Sequence, residues 1–235
     1  MRTLLLAAAL AVCSTNVFAQ ETAEGFQPFF NGKDFTGLTQ RGGKAVFEVE
    51  DKDTILGKTV KGQPNSFLAT DKMYHNFVME LDVKTNEMNA GIQVRSNAYK
   101  EEGEVEMKQG DKIIKKKIKP GIVHGYQVEI DPSPRAFSGG VYDESRRGWL
   151  YELKGDKHAD ARKAFKVGEW NHYKIQFVGD HLQTWVNGVP CADLHDDMTA
   201  EGFIALQVHS NPNSDIEVRY RNIKIKELPD ERKSN

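Results

Sequence analysis

Tyr173–Gly188 reads YKIQFVGDHLQTWVNG. In an extended chain Tyr173, Ile175 and Phe177 share one face, and Lys174 and Gln176 share the other. Gly179-Asp180 interrupts the run, alternation resumes over Leu182–Val186, and Asn187-Gly188 follows. Gly, Asn and Asp tolerate the positive φ of tight turns, so the stretch predicts an antiparallel hairpin with a second turn behind it.

The same period of two extends outward along the chain. It predicts strands over Val46–Glu50, Thr54–Gly57, Ser66–Thr70, Phe77–Thr85, Ala90–Ser96, His124–Asp131, Phe203–His209 and Ile216–Glu227, in addition to Tyr173–Val178 and Leu182–Val186. These runs are rich in Val, Ile, Phe, Tyr and Trp, which suit a pleated, half-buried surface. One short connecting helix is expected at Lys157–Phe165. The expected fold is therefore all-β, a two-sheet antiparallel jelly-roll sandwich. Trp170 and Trp185 sit within the hairpin and are assigned to core packing.

The 235 residues allow a substantial single core. Residues 1–19 read as an export signal: Arg2, an apolar run over Leu4–Val12, and Val17-Phe18-Ala19 as a small-residue cleavage site. A lipoprotein site at Leu10-Ala11-Val12-Cys13 is the weaker version, because Val suits the position before a modified Cys poorly. Residues 20–235 are expected to form one domain, exported to a periplasm or the exterior, with no transmembrane span. After cleavage Cys191 stands alone, so no intrachain disulfide is expected. Lys plus Arg number 32 against 34 Asp plus Glu, which argues against a nucleic-acid partner. Tyr99–Pro120 is dense in charge and predicts a solvated hairpin insertion turning at Gln109-Gly110-Asp111.

Three of the strands pair an aliphatic face with an unusual polar one. Gln127, Glu129 and Asp131 oppose Tyr126, Val128 and Ile130; Gln93 and Arg95 oppose Ile92 and Val94; Gln207 and His209 oppose Leu206 and Val208. Side by side they would line one surface of convergent donors and acceptors suited to a sugar. Ordinary solvent exposure explains any one such face, Arg95 could simply pair with Glu129 or Asp131, and His209 could be a satisfied strand histidine. The following loop adds Tyr142, Glu144, Arg146, Arg147 and Trp149, with rings to stack on sugars and guanidinium forks to bind hydroxyls. Its plain alternative is Glu144 and Arg147 bracing a turn.

Five blocks in order carry a family resemblance: FFNGKDFTGL (Phe29–Leu38), AGIQVRS (Ala90–Ser96), HGYQVEIDPSPRAFSGGVYDESRRGWL (His124–Leu150), GEWNHYKIQFVGDHLQTWVNGVPCADLHD (Gly168–Asp196), and GFIALQVHS with VRYRNIKIKEL (Gly202–Ser210, Val218–Leu228). Together the chain resembles the 3-keto-disaccharide hydrolase domain family over about Gly25 to Leu228. The resemblance implies a concanavalin-A-like jelly roll acting on glycosides already oxidised at carbon 3 by a separate sugar oxidoreductase. The Tyr99–Pro120 insert departs from the family pattern; at the mouth of a site it would alter substrate size.

A ketone at carbon 3 acidifies the carbon-2 hydrogen, so the reaction needs a base, an enolate stabiliser and a proton donor for the leaving oxygen. Glu129 or His209 are candidate bases, and Tyr142 or Glu144 candidate donors. Arg95, Gln127 or a divalent metal are candidates to hold the enolate, with Gln93, Arg146, Arg147, Trp149 and Gln207 contacting substrate. No cofactor is demanded, and no tight ligand spacing assigns a metal. Glu129-Ile130-Asp131 also resembles the catalytic strand of retaining laminarinase and lichenase glucanases. The further carboxylate those enzymes need is replaced by Ser133 and Pro134. A non-catalytic carbohydrate-binding module is the remaining alternative.

Overall fold

The hairpin at Tyr173–Gly188 forms as expected. Numbering strands in chain order, β13 (Asn171–Val178) pairs with β14 (His181–Val186) from Tyr173↔Val186 to Val178↔His181. At the second turn Asn187 has φ 50° and Gly188 φ 79°, the left-handed pair that matches strand twist. The computed structural model describes residues 25–109 and 111–229; the signal expected at 1–19 lies outside the described residues.

The hairpin belongs to an antiparallel sheet of order β15 (Val189–His195), β14, β13, β6 (Phe77–Thr85), β17 (Glu217–Glu227), β4 (Ile55–Lys58) and β3 (Val46–Val49), with β1 (Gln27–Pro28) against β17. A second sheet runs β12 (Gly148–Tyr151), β11 (Val141–Glu144), β10 (Val123–Ile130), β7 (Ala90–Ala98), β16 (Phe203–Val208), β5 (Ser66–Thr70) and β2 (Leu38–Gly42). The three polar-faced strands are thus neighbours, β10-β7-β16. Leu81, Val83, Ile92, Val128, Ile130, Ile175, Ile204 and Leu206 are fully buried within one core cluster, where removal of apolar area from water supplies the main driving force. The expected helix appears as a 3-10 turn, Asp156–His158, leading into α1 (Ala159–Ala164). Cys191 is free and buried.

Trp170 and Trp185 do not enter the core. Both are half-buried, and each carries a cation over its ring: Arg221 at 3.9 Å from the Trp170 centroid, Lys174 at 5.1 Å from Trp185. On β14 it is Leu182, Thr184 and Val186 that are buried, so alternation puts Trp185 on the outer face.

Strand β7 breaks its alternation. Ser96 pairs with Phe203 and Gln93 with Ala205, so Val94 and Arg95 together oppose one residue of β16, and Arg95 has φ 43°. This is a β-bulge. Glycines flank it because nothing else fits: a Cβ on Gly202 would stand 2.3 Å from the Arg95 carbonyl carbon, and one on Gly125 2.7 Å from the Ser96 Cα.

The insertion forms the hairpin β8 (Gly103–Gln109) and β9 (Lys112–Ile118). It is not solvated evenly. Met107 is buried and Val105, Ile114, Lys116 and Ile118 half-buried, whereas Glu104, Glu106, Lys115 and Lys117 are exposed. Lys116 is the charged residue on the covered face, and its ammonium is felt at Glu144.

Candidate active-site cleft

A cleft of about 570 Å³ opens on the face of the second sheet turned away from the core. Gln127, Glu129, Tyr142, Glu144, Trp149 and His209 line it, together with Asn65, Asn89, Asp131, Ser133 and Arg135. Six residues chosen from the sequence are therefore brought together.

Gln127 organises the floor. Its Oε1 accepts hydrogen bonds from Gln93 Nε2 at 2.7 Å and Gln207 Nε2 at 2.8 Å, and its Nε2 donates to Glu129 Oε2 at 2.9 Å. These contacts fix which way the amide points. Gln93 and Gln207, both fully buried, are supports beneath the cleft rather than substrate contacts, which corrects their sequence assignment. The side chain of Gln127 fits because residue 91 is glycine: a Cβ there would lie 2.5 Å from Gln127 Cγ and Cδ. Gly91→Ala should displace the amide and loosen Glu129. On the scale of an ångström-sized misplacement, turnover should drop about 10²-fold, and a crystal structure of the variant would show Gln127 moved.

Glu129 is 4% exposed. Its Oε1 accepts from Asn89 Nδ2 at 2.8 Å and from an Arg135 terminal nitrogen at 3.2 Å. Burial pushes its carboxyl up to about 7; the Asp131 charge adds to the rise, while Asn89, Gln127 and Arg135 oppose it. Asp131 goes the other way. Burial would raise it, but Ser133, Arg135 and the Phe137 backbone N–H outweigh burial and hold it below the usual carboxylate range. Its Oδ2 accepts from Arg135 Nε at 2.7 Å and Phe137 N at 3.1 Å. The two neighbouring carboxylates are thus shifted in opposite directions, the kind of separation that acid–base pairs in active sites use.

Arg135 joins both carboxylates and lies over Trp149, 4.9 Å from its centroid. Trp149 meets Tyr142 edge-on, centroids 5.3 Å apart. Burial and nearby Glu144 and Glu129 raise the Tyr142 hydroxyl, keeping its proton in place. Burial also raises Glu144, against the pull of Ser145, His209 and Lys116. Glu144 further borders an adjoining pocket of about 580 Å³ under the base of the insertion, lined by Phe67, Pro120, Gly121 and Ile122. His209 Nδ1 donates to the Ser210 carbonyl at 2.8 Å, which leaves Nε2 as its acceptor.

Three arginines expected at the site are elsewhere. The bulge turns Arg95 towards the first sheet, where it is 1% exposed. Its Nε donates to the His75 carbonyl and one terminal nitrogen to the Gly179 carbonyl, both at 2.6 Å, and its guanidinium lies 3.6 Å from the Phe177 centroid. Arg146 and Arg147 converge on fully buried Asp143: Arg146 Nε reaches Oδ1 at 2.7 Å and Arg147 Nε reaches Oδ2 at 2.5 Å. Arg147 also donates to Asp196 at 2.8 and 3.0 Å, and Arg146 to Thr199 at 2.6 Å. Conversely, sequence reasoning passed over Asn65, Asn89 and Arg135. Arg135 carried a signal: it lies four residues beyond Asp131 in the loop PSPRAFSGG. Among the described residues, three metal-type donors gather only at His181, Asp193 and His195, away from the cleft.

The fold and the site define a class, a concanavalin-A-like β-sandwich with a carboxylate-floored cleft on one sheet. The profile of the 3-keto-alpha-glucoside-1,2-lyase-like domain matches residues 25–226, and the chain belongs to that family of carbohydrate-active proteins. No curated protein matches it. Among solved structures it resembles a Parabacteroides distasonis protein provisionally described as a glycosyl hydrolase, at TM-score 0.57 and 20% identity, covering 88% of this chain and 95% of that one. It also resembles a Bacillus subtilis protein of unknown function with a galectin-like fold, at 0.57 and 10%, covering 86% and 94%. The exoplasmic domain of VIP36, bound to Ca²⁺ and Man3GlcNAc, aligns at 0.50 and 12%, covering 89% and 90%. At these identities the likeness is one of fold.

Proposed function

We propose that the protein cleaves 3-keto-glycosides by elimination followed by hydration. The observation that carries this reading is Glu129, a buried carboxyl poised near neutral pH at the floor of an open cleft. Glu129 takes the proton from carbon 2, and the electron pair moves into the carbon-2 to carbon-3 bond to give the enolate. Arg135, cationic and reaching the cleft from its rim, faces the developing oxyanion. The enolate re-forms the ketone, a double bond forms between carbons 1 and 2, and the anomeric oxygen leaves with a proton from Tyr142 or Glu144. Water then adds at carbon 1 and returns a proton to the Tyr142 or Glu144 that gave one up, while carbon 2 regains its proton from Glu129, giving net hydrolysis. Trp149 supplies an apolar ring for a sugar face.

A separate sugar oxidoreductase supplies the 3-keto substrate in this reading, and the protein is exported with residues 1–19 as its leader. The test is incubation with a 3-keto-glucoside and its unoxidised parent, with and without a chelator, following aglycone release. Release from the 3-keto compound alone is expected. Release from the parent would point to ordinary glycosidase chemistry; release from neither, with saturable sugar binding, would make the protein a binding module.

A further inference from the structure

The outer face of the first sheet carries a cluster that the proposed reaction does not use. His181 opens β14, His195 closes β15, and the two are register partners across the hairpin. Their imidazoles stack 4.2 Å apart at an interplanar angle of 9°. Asp193, two residues before His195 and so on the same strand face, accepts from His181 Nε2 at 2.7 Å. Leu182, next to His181, is fully buried, which sets the cluster on the side away from the core.

We propose that His181, Asp193 and His195 form a binding site for a divalent transition metal of the zinc class. One donor atom from each already lies within 4.8 Å of the others. Tetrahedral bonds of about 2.1 Å place donors about 3.4 Å apart, so modest side-chain rotation closes the site. Asp193 and His195 are exposed and His181 half-buried, and such movement disturbs no core packing.

The supporting groups point the same way. Asp180 Oδ1 lies 3.2 Å from His195 Nδ1, which leaves Nε2 for the metal in the carboxylate–histidine–metal arrangement. Gln183 Nε2 donates to Asp193 Oδ2 at 3.1 Å and leaves Oδ1 turned to His181. The metal would replace the proton now shared between His181 and Asp193. Separate surface ion pairs would account for His181–Asp193 and His195–Asp180 one at a time. A shared ion accounts for three donors gathered together while the other polar atoms of Asp193 and His195 are tied back. Two imidazoles with one carboxylate favour zinc, nickel or copper over magnesium or calcium, which take oxygen shells. The remaining coordination position is left to water or an external donor.

The test is calorimetric titration of the untagged, chelator-stripped chain with zinc chloride at pH 7.5. One equivalent should bind with a Kd of about 1 μM or tighter, the three-ligand cluster being judged against stronger closed structural sites. His181→Ala and His195→Ala should each weaken binding at least about 100-fold, and Asp180→Ala about 10- to 100-fold. His172→Ala, which removes an exposed histidine of the same sheet paired with Asp82, should leave the affinity unchanged. Absence of saturable binding below millimolar zinc, or binding that survives both histidine variants with circular dichroism unchanged, would overturn the proposal. The readout is heat of binding and does not depend on turnover.

Discussion

Glu129→Gln should reduce turnover of a 3-keto-glucoside on the order of 10³-fold, within the 10²–10⁴ range of a lost general base. Folding should be retained, as judged by near-ultraviolet circular dichroism. The sign of the pH dependence follows from the group itself. Its carboxyl lies at about 7, and only the ionised form accepts a proton. The wild-type rate should therefore rise with pH through about 7 and fall on the acid side. The same shift has the opposite consequence for stability: a carboxyl raised on folding contributes most below its ordinary range near 4.5, and that contribution is lost as pH rises through about 7. Glu129→Asp keeps the charge but withdraws it by one methylene, and should cost about 10²-fold through misplacement. A Gln variant with full activity and an unchanged acid limb would remove Glu129 as the base.

The second large effect is on stability. Asp143→Ala should destabilise the protein by about 3–5 kcal/mol, the usual cost of removing one member of a buried ion pair. Asp143 is fully buried between two guanidinium groups whose side chains are only 6% and 10% exposed. Arg147 keeps Asp196, whereas Arg146 keeps only its hydrogen bond to Thr199 and its place over the Tyr126 ring. For a domain of this size the melting temperature should fall roughly 6–20 °C. Below that temperature, KM for the sugar should stay within about twofold, since neither arginine lines the cleft. A KM raised tenfold at unchanged melting temperature would return Arg146 and Arg147 to substrate binding.

The fold was legible because alternation is a local property. Runs such as Phe77–Thr85 and Asn171–Val178 carry their burial pattern in the sequence. Strands β11 and β12 were not, since Val141–Glu144 and Gly148–Tyr151 are four-residue pieces inside a polar, Gly-rich stretch. β15 hid behind Pro190, which only an edge strand accommodates. The site was legible where side chains stand straight off a regular strand, as Gln127 and Glu129 do. It was not legible where the backbone curls: Arg135 reaches Glu129 only because the chain turns, with Ala136 at φ 54° and its N–H bonded to the Ser133 carbonyl. Nor does alternation distinguish a floor from its foundations, so Gln93 and Gln207 looked equivalent to Gln127.

The bulge in β7 changes the parity of everything beyond it. Before it, residues two apart share a face; across it, the partner of Gln93 is Ser96, whose hydroxyl donates to Gln93 Oε1 at 2.7 Å, and not Arg95. Arg95 spans to Phe177 and Gly179 in the opposite sheet. An alignment that threads this strand as regular will count Arg95 among the ligand-facing positions of any relative and invert the assignments that follow. Deleting Arg95 would be a local repair with a distant cost: even pairing would return, Ser96 would stand two residues from Gln93 and keep its face, and the clasp between the sheets would be lost.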